Sequence, residues 1–318
     1  WWGMPALPKL NIDEPAVREY LWGVAEHWLR FGIDGWRLDV PGEIQDRSFW
    51  QEFRRRCRAV NPEAYLVGEI WHVDPDWVSG DRFDALMNYP LAEAIIGFVG
   101  GRSLNEALLR SHHEYGRVTR IDGATFAARL AELLQAYAPE TNAVQLNLLD
   151  SHDTPRALSL LGGDSEAMEL ATLVQASLPG APCIYYGDEV GVEGGIDPDS
   201  RRSFPWDRTR WNEALFDSLK GSLAARHAHP ELRSDELRVT TTEGPALAFR
   251  RGADGGIAVA VNAGDEPATL SLGDGAAGDI LHSVGRARQA GSAPALAARD
   301  GGLQVTVPAR SGAIVRVA

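Results

Sequence analysis

Short apolar runs of strand length alternate with amphipathic helical segments between residues 13 and 227, and this alternation limits the fold more than any other feature. A helix is predicted over residues 13–31, where Val17, Leu21 and Val24 recur on one face and Gly32 follows the last turn. Strands that alternate with helices form parallel βαβ units, so the chain builds either a doubly wound sheet or a barrel. The strands are predicted at 33–40, 66–70, 83–88, 143–149 and 182–186, and the other helices at 46–60, 91–97, 103–113, 124–137, 163–177 and 212–227.

The number of predicted strands favours the barrel. About five strand–helix repeats are predicted, whereas a closed (β/α)8 barrel, the TIM barrel, requires eight. We therefore expect the C-terminal part of such an α/β barrel, about five of its eight strands, and we expect an N-terminal portion to precede Trp1.

The sequence changes character after residue 232. Helical periodicity disappears, and short β-rich runs separated by Gly- and Ala-rich turns predict an all-β antiparallel sandwich. We therefore expect two domains, a catalytic barrel over residues 1–232 that is incomplete at its N-terminus and a β-sandwich over 233–318. The strands of the second domain are predicted at 237–242, 246–250, 256–262, 267–272, 279–283, 303–307 and 312–317, and residues 285–302 are predicted to form a loop.

Charge and cysteine content exclude several classes of partner. The chain carries 31 basic and 44 acidic side chains, a net charge of −13, so we expect it to bind neither nucleic acid nor a membrane. Cys57 and Cys183 are too few for a disulfide framework, and two reduced thiols favour the cytoplasm. Ten Trp residues are compatible with contacts to the flat faces of sugar rings.

Arg37 and Asp39 stand two residues apart at the end of the first predicted strand. Side chains at this spacing point to one face, and at the C-terminal end of a barrel strand that face opens on the catalytic mouth. A carboxylate beside a guanidinium stays ionised, as a nucleophile must. A purely structural ion pair is the alternative, and this segment alone does not decide between them.

Glu69 ends the next predicted strand, after Leu66 and Val67 and before Ile70 and Trp71. A carboxyl group among apolar neighbours retains a proton more readily, so it can act as a general acid. A solvated residue at the rim of the sheet is the alternative.

A third polar segment follows the predicted strand 143–149. His152 and Asp153 are adjacent there, with Asp150 and Arg156 close by. Adjacent His and Asp residues are a weak pattern for a metal site, because the spacing of metal ligands usually places them on one face. A polar turn without function is the other alternative.

The three carboxylates together point to cleavage of a glycosidic bond. Retaining hydrolysis requires two carboxyl groups about 5 Å apart, one as nucleophile and one as acid/base. The ends of nearby parallel strands supply such a geometry. The motifs of serine hydrolases and P-loop proteins do not occur in the sequence.

With these residues the sequence resembles the α-amylase family, glycoside hydrolase family 13, and within it the neopullulanase, cyclomaltodextrinase and maltogenic amylase group. Gly-Trp-Arg-Leu-Asp at 35–39 is similar to the family's nucleophile motif, and Gly-Glu-Ile-Trp at 68–71 to its acid/base motif. Ser-His-Asp at 151–153 is similar to the motif of its third carboxylate. Met-Pro-Ala-Leu-Pro-Lys-Leu-Asn at 4–11 resembles the segment that marks the neopullulanase group, and residues 179–189 resemble the last barrel strand.

The resemblance implies catalytic roles for three residues. Asp39 would be the nucleophile and Glu69 the acid/base. Asp153 would grip the sugar hydroxyls and stabilise the transition state.

The resemblance also implies substrate-binding roles. Arg37 would orient Asp39, and His152 would hydrogen-bond the sugar at the cleavage subsite. Asp197 and Arg201 would bind the donor-side glucose, while Trp71 either stacks on the acceptor sugar or packs in the interior.

The implied reaction is retaining hydrolysis of α-1,4-glucosidic bonds in maltodextrins, cyclodextrins or pullulan, with transglycosylation as a further outcome. The alternatives are an α-glucosidase or a sucrose- or trehalose-acting transferase of the same family, or a non-catalytic carbohydrate-binding fragment. The expected partner is an α-glucan oligosaccharide. The resembled group also implies a homodimer for the full-length protein, and no redox or organic cofactor is required.

The sequence departs from the family pattern where calcium-dependent members bind the ion. In those members an Asp takes the place of Lys9, and a Lys-His pair stands where this chain has Gly42 and Glu43. Calcium requires several oxygen ligands, and an ammonium group is a poor neighbour for it. We therefore expect neither calcium nor another metal ion at this position.

We predict that the purified protein contains no stoichiometric calcium. Elemental analysis after equilibration in a calcium-containing buffer measures this directly. One tightly held calcium ion per chain would contradict the prediction.

Overall fold

The structure is a computed structural model that describes residues 2–275, 277–289, 291–299 and 302–318. Two compact units make up the chain, Trp1–Met87 and Asn88–Ala318. Positions 1, 276, 290, 300 and 301 of the predicted domains lie outside the described residues. The predicted boundary between residues 232 and 233 falls inside the second unit and stays a prediction.

The first unit packs two helices and carries a three-stranded parallel sheet. A carboxylate caps each helix, because the Glu14 side chain accepts from the Ala16 N–H and the Asp46 side chain from the Ser48 N–H. Gly32 ends the first helix in the left-handed conformation, as the sequence predicts. The elements in chain order are α1 (Pro15–Phe31), β1 (Gly35–Leu38), α2 (Arg47–Val60), β2 (Tyr65–Gly68) and β3 (Ala85–Leu86).

The pairing of β1 with β2 is parallel and unusually close at Gly35. Gly35 lies opposite Tyr65, and Leu38 lies opposite Gly68, so both strands end at the same level of the sheet. A Cβ atom on Gly35 would stand 2.0 Å from the Tyr65 carbonyl oxygen. Only glycine therefore permits this register, which places the residues after β1 beside those after β2.

The first part of the second unit is helical and includes one parallel strand pair. Leu146 lies opposite Ala181 and Asn147 opposite Pro182 in that pair. The elements are α3 (Tyr89–Gly100), α4 (Glu106–Ser111), α5 (Gly123–Ala136), α6 (Pro139–Asn142), β4 (Leu146–Asn147), α7 (Ala157–Leu160), α8 (Ser165–Ser177), β5 (Ala181–Pro182) and α9 (Glu213–Ala228).

The remainder of the second unit forms two antiparallel sheets, with strand orders β10-β13-β8-β7-β6 and β11-β12-β9. Their side chains share one buried apolar cluster, which includes Ala260 and Val315 from the larger sheet and Leu270 and Val305 from the smaller one. The strands are β6 (Leu237–Glu243), β7 (Ala246–Arg251), β8 (Ile257–Asn262), β9 (Ala268–Asp274), β10 (Gly278–Gly285), β11 (Ala295–Arg299), β12 (Gly302–Val307) and β13 (Ser311–Val317).

Strand β11 corrects the predicted loop at 285–302. Its sequence, Ala-Leu-Ala-Ala-Arg, is poor in the β-branched and aromatic residues that favour strands. It lies at the edge of the smaller sheet and is mostly exposed, so it forms by pairing with β12 rather than from local preference. Positions 290, 300 and 301 of that loop lie outside the described residues.

Helix α8 joins the helical part of the second unit to the larger antiparallel sheet. The Glu169 carboxylate accepts from the Gly285 N–H at 2.8 Å, and Arg310 pairs with Asp164 at the helix N-cap. Leu173 of α8 packs against Gly312 of β13. Nowhere among residues 2–275, 277–289, 291–299 and 302–318 is there a helix with the length and apolarity needed to cross a membrane.

Two buried carboxyl groups, Asp150 and Asp188, follow β4 and β5. They are 2% and 3% exposed, so neither is well hydrated and the pair retains a proton. Burial raises the pKa of Asp150 to about 6, and burial together with the charge of Asp150 raises the pKa of Asp188 well above its usual range. Two groups stabilise the remaining negative charge. The Ala157 N–H donates to Asp150 Oδ2 at 2.6 Å, and Arg156 Nη1 lies 3.7 Å from Asp188 Oδ1.

Gly35→Ala is predicted to destabilise the protein by about 1–3 kcal/mol, because the added methyl group forces β1 and β2 apart. Urea denaturation measures the free energy of unfolding. Gly23→Ala in α1 is the matched control, since a Cβ there meets no atom within 4 Å, and it should stabilise by about 0.5–1 kcal/mol. A Gly35→Ala variant as stable as the wild type would show that the close strand approach is wrong.

Asp188→Asn is predicted to flatten the pH dependence of stability above pH ~4. A free Asp has a pKa of about 3.9, so from there through the raised folded values the native state binds more protons than the unfolded state. The free energy of unfolding therefore falls as pH rises, by about 1.4 kcal/mol per pH unit for one full proton. The Asn amide can donate to Asp150 in place of the shared proton, which removes most of this slope.

Urea denaturation between pH ~4.5 and ~8 measures this slope. Asp254→Asn, at an exposed position of the second unit, is the control and should keep the wild-type slope. An unchanged slope in Asp188→Asn would show that the pair shares no proton.

Candidate active site

The parallel register of β1 and β2 brings the predicted nucleophile and the predicted acid/base to neighbouring strand ends. Asp39 directly follows β1 and Glu69 directly follows β2. The Glu69 N–H donates to the Leu38 carbonyl at 3.0 Å, so the ladder continues to the point where the two carboxyl groups emerge.

One guanidinium contacts both carboxylates. Arg37 Nη1 donates to Asp39 Oδ1 at 2.5 Å, and Nη2 lies 3.1 Å from Glu69 Oε1. The third nitrogen, Nε, donates to the Met87 sulfur at 3.4 Å, which fixes the plane of the group. The structure thus brings together Arg37, Asp39 and Glu69, all three predicted from the sequence.

The two carboxylates differ sharply in exposure. The Asp39 side chain is 71% exposed, whereas that of Glu69 is 4% exposed. A carboxylate in the position of Asp39 is open to attack an incoming substrate. A buried carboxyl group such as Glu69 needs donors to replace the water that it has lost.

Two N–H groups supply those donors to Glu69. The Val40 N–H donates to Oε2 at 2.9 Å and the Trp71 indole N–H donates to Oε1 at 3.3 Å, while the positive charge of Arg37 lies 3.1 Å from Oε1. The sequence predicts an apolar surrounding for Glu69. The structure corrects this, because N–H groups of Val40 and Trp71 also face the carboxyl group. Trp71, predicted to stack on a sugar or to pack, holds Glu69 by a hydrogen bond.

Lys9 and Glu43, the positions that separate this chain from calcium-dependent relatives, lie in contact. Lys9 Nζ donates to the Glu43 carbonyl oxygen at 2.5 Å and to its carboxylate at 3.2 Å, and the Trp2 indole N–H donates to the same carboxylate at 2.9 Å. The hydrogen bond from Trp2, followed by that from Lys9, lowers the pKa of Glu43. Both carboxylate oxygens of Glu43 and its carbonyl oxygen are therefore engaged by donors.

In the second unit, Arg201 brings together the other predicted residues. Its Nε lies 2.6 Å from Asp197 Oδ1 and donates to the His152 carbonyl at 3.1 Å, while Nη2 donates to Asp153 Oδ1 at 3.1 Å. The His152 ring lies 3.1 Å from the other oxygen of Asp153. All four side chains are partly exposed, so they can reach a ligand.

His112 and Ser200 support this group, and sequence reasoning missed both. His112 Nδ1 accepts from the Tyr115 N–H, so Nε2 carries the hydrogen and donates to the Asp153 carbonyl at 3.0 Å. Burial lowers the pKa of His112, which keeps the ring neutral in this role. Ser200 donates to the His152 carbonyl at 3.0 Å. Ser200 adjoins Arg201 in sequence, but no spacing connects His112 with residue 153.

Arg156 anchors the segment that carries Ser200 and Arg201. It is fully buried, its guanidinium lies 3.9 Å from the Tyr185 ring centre and 4.6 Å from that of Tyr186, and its Nε donates to the Ser200 carbonyl at 2.7 Å. A buried arginine with stacked rings is a rigid support, because its planar fork loses little freedom on binding.

The family model described as "Alpha amylase, catalytic domain" matches residues 2–218. The chain is 42% identical to a cyclomaltodextrinase of Geobacillus thermopakistaniensis (strain MAS1) and 40% identical to neopullulanase 2 of Thermoactinomyces vulgaris. Each match covers 74% of this chain and 37% of the relative.

A crystal structure of a debranching enzyme from Nostoc punctiforme superposes with a TM-score of 0.89 at 41% identity, covering all of this chain and 65% of that one. The chain spans well under half the length of the cyclomaltodextrinase and of neopullulanase 2, of which it covers 37% each. The family model covers more than half of this chain, and the motifs quoted above lie within its range. The chain belongs to the α-amylase family of glycoside hydrolases, glycoside hydrolase family 13, and its relatives include cyclomaltodextrinases and neopullulanases.

Proposed function

We propose that the protein of which this chain is part is a retaining glycoside hydrolase that cleaves α-1,4-glucosidic bonds in maltodextrins, cyclodextrins or pullulan. The observation that carries the proposal is the pair Asp39 and Glu69, which meet at one guanidinium at the ends of adjacent parallel strands. Retaining hydrolysis needs such a pair, with one accessible carboxylate and one that holds a proton.

The reaction proceeds in two balanced steps. Asp39 attacks the anomeric carbon while Glu69 donates its proton to the glycosidic oxygen, so the glycosidic bond breaks and a covalent glycosyl-enzyme forms. Water then gives a proton to the Glu69 carboxylate as its oxygen attacks the anomeric carbon, and Asp39 leaves. A second sugar hydroxyl in place of water gives transglycosylation.

Arg37 has a distinct task in this scheme. Its Nη1 holds one Asp39 oxygen, which orients the other oxygen for attack. Its Nη2 lies near Glu69 Oε1 and stabilises the negative charge that forms there when the proton leaves.

We propose that the four residues joined by Arg201 bind the sugar. His152 and Asp153 would hydrogen-bond the hydroxyls at the cleavage subsite, and Asp197 with Arg201 would bind the neighbouring donor-side glucose. Their partial exposure and their common link through Arg201 support this assignment. Trp71 is proposed as a contact on the acceptor side.

The names of the relatives support an α-glucan substrate. One is a cyclomaltodextrinase, one a neopullulanase and one a debranching enzyme. We further propose that the full-length protein forms a homodimer and acts in the cytoplasm. The two unpaired cysteines support that compartment.

We also propose the finer architecture. Strands β1 to β5 are five of the eight strands of a (β/α)8 barrel, and the antiparallel sheets form a β-sandwich domain that begins at residue 233. The parallel pairings of the five strands and the apolar cluster shared by the two antiparallel sheets support this arrangement.

No calcium ion is proposed at the position of Lys9. The reason is that its ammonium group and the Trp2 indole both donate to the Glu43 carboxylate, where a calcium ion would need a free oxygen ligand.

Two substitutions in the full-length protein test the proposed function. Asp39→Asn should lower kcat on cyclodextrin and pullulan by at least about 10⁴-fold, because the nucleophile is lost. Glu69→Gln should lower kcat by about 10²–10⁴-fold on these substrates, but far less on an α-glucosyl fluoride, whose leaving group needs no protonation. Steady-state kinetics on both substrate types measure the effects.

Circular dichroism spectra that match the wild type are required of both variants. Glu43→Gln is the control, because it changes a nearby carboxylate in the same unit without touching Arg37. Activity within tenfold of the wild type in Asp39→Asn, or equal losses on both substrate types in Glu69→Gln, would contradict the assignment.

A further inference from the structure

Val40 holds a backbone conformation that its side chain disfavours. Its φ and ψ angles are 36° and 56°, in the left-handed region, and it is followed by Pro41. Left-handed geometry is uncommon outside glycine, asparagine and aspartate, and for a β-branched residue it is a genuine outlier. The residue before a proline also prefers an extended conformation. Strain of this kind persists only where the surrounding structure imposes it, and it concentrates at functional sites.

The left-handed turn begins where β1 leaves the sheet. The Glu43 N–H donates to the Val40 carbonyl at 3.0 Å and the Ile44 N–H to the Pro41 carbonyl at 3.1 Å, so a tight turn follows at once. Along β1, the N–H groups of Leu38 and Val40 point to the same side, towards β2. At Val40 that N–H no longer meets a strand carbonyl. It donates to the side chain of Glu69 at 2.9 Å.

This hydrogen bond links the two predicted catalytic carboxyl groups through one peptide unit. The Val40 N–H belongs to the same peptide plane as the Asp39 carbonyl. Glu69 is thereby fixed relative to the backbone that carries Asp39, and this link involves no flexible side chain on the Asp39 strand. A backbone N–H also keeps its charge state at every step of a reaction, unlike a titratable neighbour.

The contacts of Glu69 distinguish its two oxygens. Oε1 accepts from the Trp71 indole N–H at 3.3 Å and lies 3.1 Å from the positively charged Arg37 guanidinium. Oε2 faces the Val40 N–H at 2.9 Å. One N–H donor therefore reaches each oxygen, and the two hydrogen bonds together fix the orientation of the carboxyl group.

We propose that the Val40 main-chain N–H is a positioning group for the acid/base: by donating to Oε2 of Glu69, it fixes the orientation of the carboxyl group that transfers the proton. The inference rests on the proposed function and adds a residue whose side chain has no chemistry of its own. Proton transfer to the glycosidic oxygen requires this orientation, since a displacement of one ångström costs about 100-fold in rate.

The decisive experiment removes the N–H and keeps the side chain. The hydroxy-acid analogue of valine, incorporated at position 40 of the full-length protein, replaces the amide by an ester. We expect kcat on cyclodextrin to fall by at least about 10-fold with little change in KM, because an acid is misplaced while binding is retained. On α-glucosyl fluoride the loss should be much smaller.

Two further variants separate this effect from a structural one. The hydroxy-acid analogue of isoleucine at position 44 removes a turn hydrogen bond of similar length that does not reach Glu69, and it should leave both activities unchanged. Val40→Gly keeps the N–H and fits the left-handed turn, so its ratio of activities on the two substrates should stay at the wild-type value.

A spectroscopic measurement tests the same bond without depending on the ester. In protein labelled with ¹⁵N-valine, the Val40 amide proton should shift upfield when Glu69 is replaced by Ala. An ester variant with the wild-type activity ratio, or a Val40 resonance that does not respond to Glu69→Ala, would overturn the proposal. If Glu69→Gln itself shows no dependence on the leaving group, the proposed function fails instead.

Discussion

The arrangement depends most on the contact of one guanidinium with two carboxylates at the ends of β1 and β2. A buried carboxyl group loses its hydration. For Glu69, hydrogen bonds from Trp71 and a main-chain N–H replace the lost water, and the nearby charge of Arg37 adds to them. These contacts are possible because Gly35 lets β1 and β2 approach closely, so that the Arg37 side chain reaches the carboxyl groups at both strand ends. The strand register, Gly35 and the contacts of Arg37 therefore depend on one another, because the register requires the glycine and the contacts require the register.

A second arginine organises the other group of predicted residues, under different electrostatic conditions. Arg201 and its partners Asp153 and Asp197 are all partly exposed, so solvent screens their attraction and the pairs add little to stability. Rigidity comes instead from buried Arg156, whose guanidinium contacts two tyrosine rings and donates to the Ser200 carbonyl. The weak surface pairs of Arg201 suit the proposed sugar site. A ligand can compete for these exposed groups without disturbing the buried residues that support them.

The sequence predicted the contributions that are local and missed those that depend on distant parts of the chain. Arg37 and Asp39 follow from a spacing of two in a strand, and Glu69 from its place after the next apolar run. The donation from Val40 was not predictable, because a valine before a proline favours an extended backbone. His112 reaches Asp153 across 41 positions, and no pattern in either segment indicates the pairing. Strand β11 was missed because its alanines form a strand only when β12 is beside them.

Charge balance explains why similar sets of groups behave differently in the two units. Arg156 with Asp150 and Asp188 comprises one cation and two carboxyl groups, none more than 3% exposed. Two negative charges would exceed the single positive one in a site without water, so the pair retains a proton and the cluster is neutral. Arg37 with Asp39 and Glu69 has the same composition, but Asp39 is 71% exposed and water stabilises its charge. Exposing one carboxylate and burying the other therefore gives the proposed nucleophile and the proposed acid different surroundings without any further group.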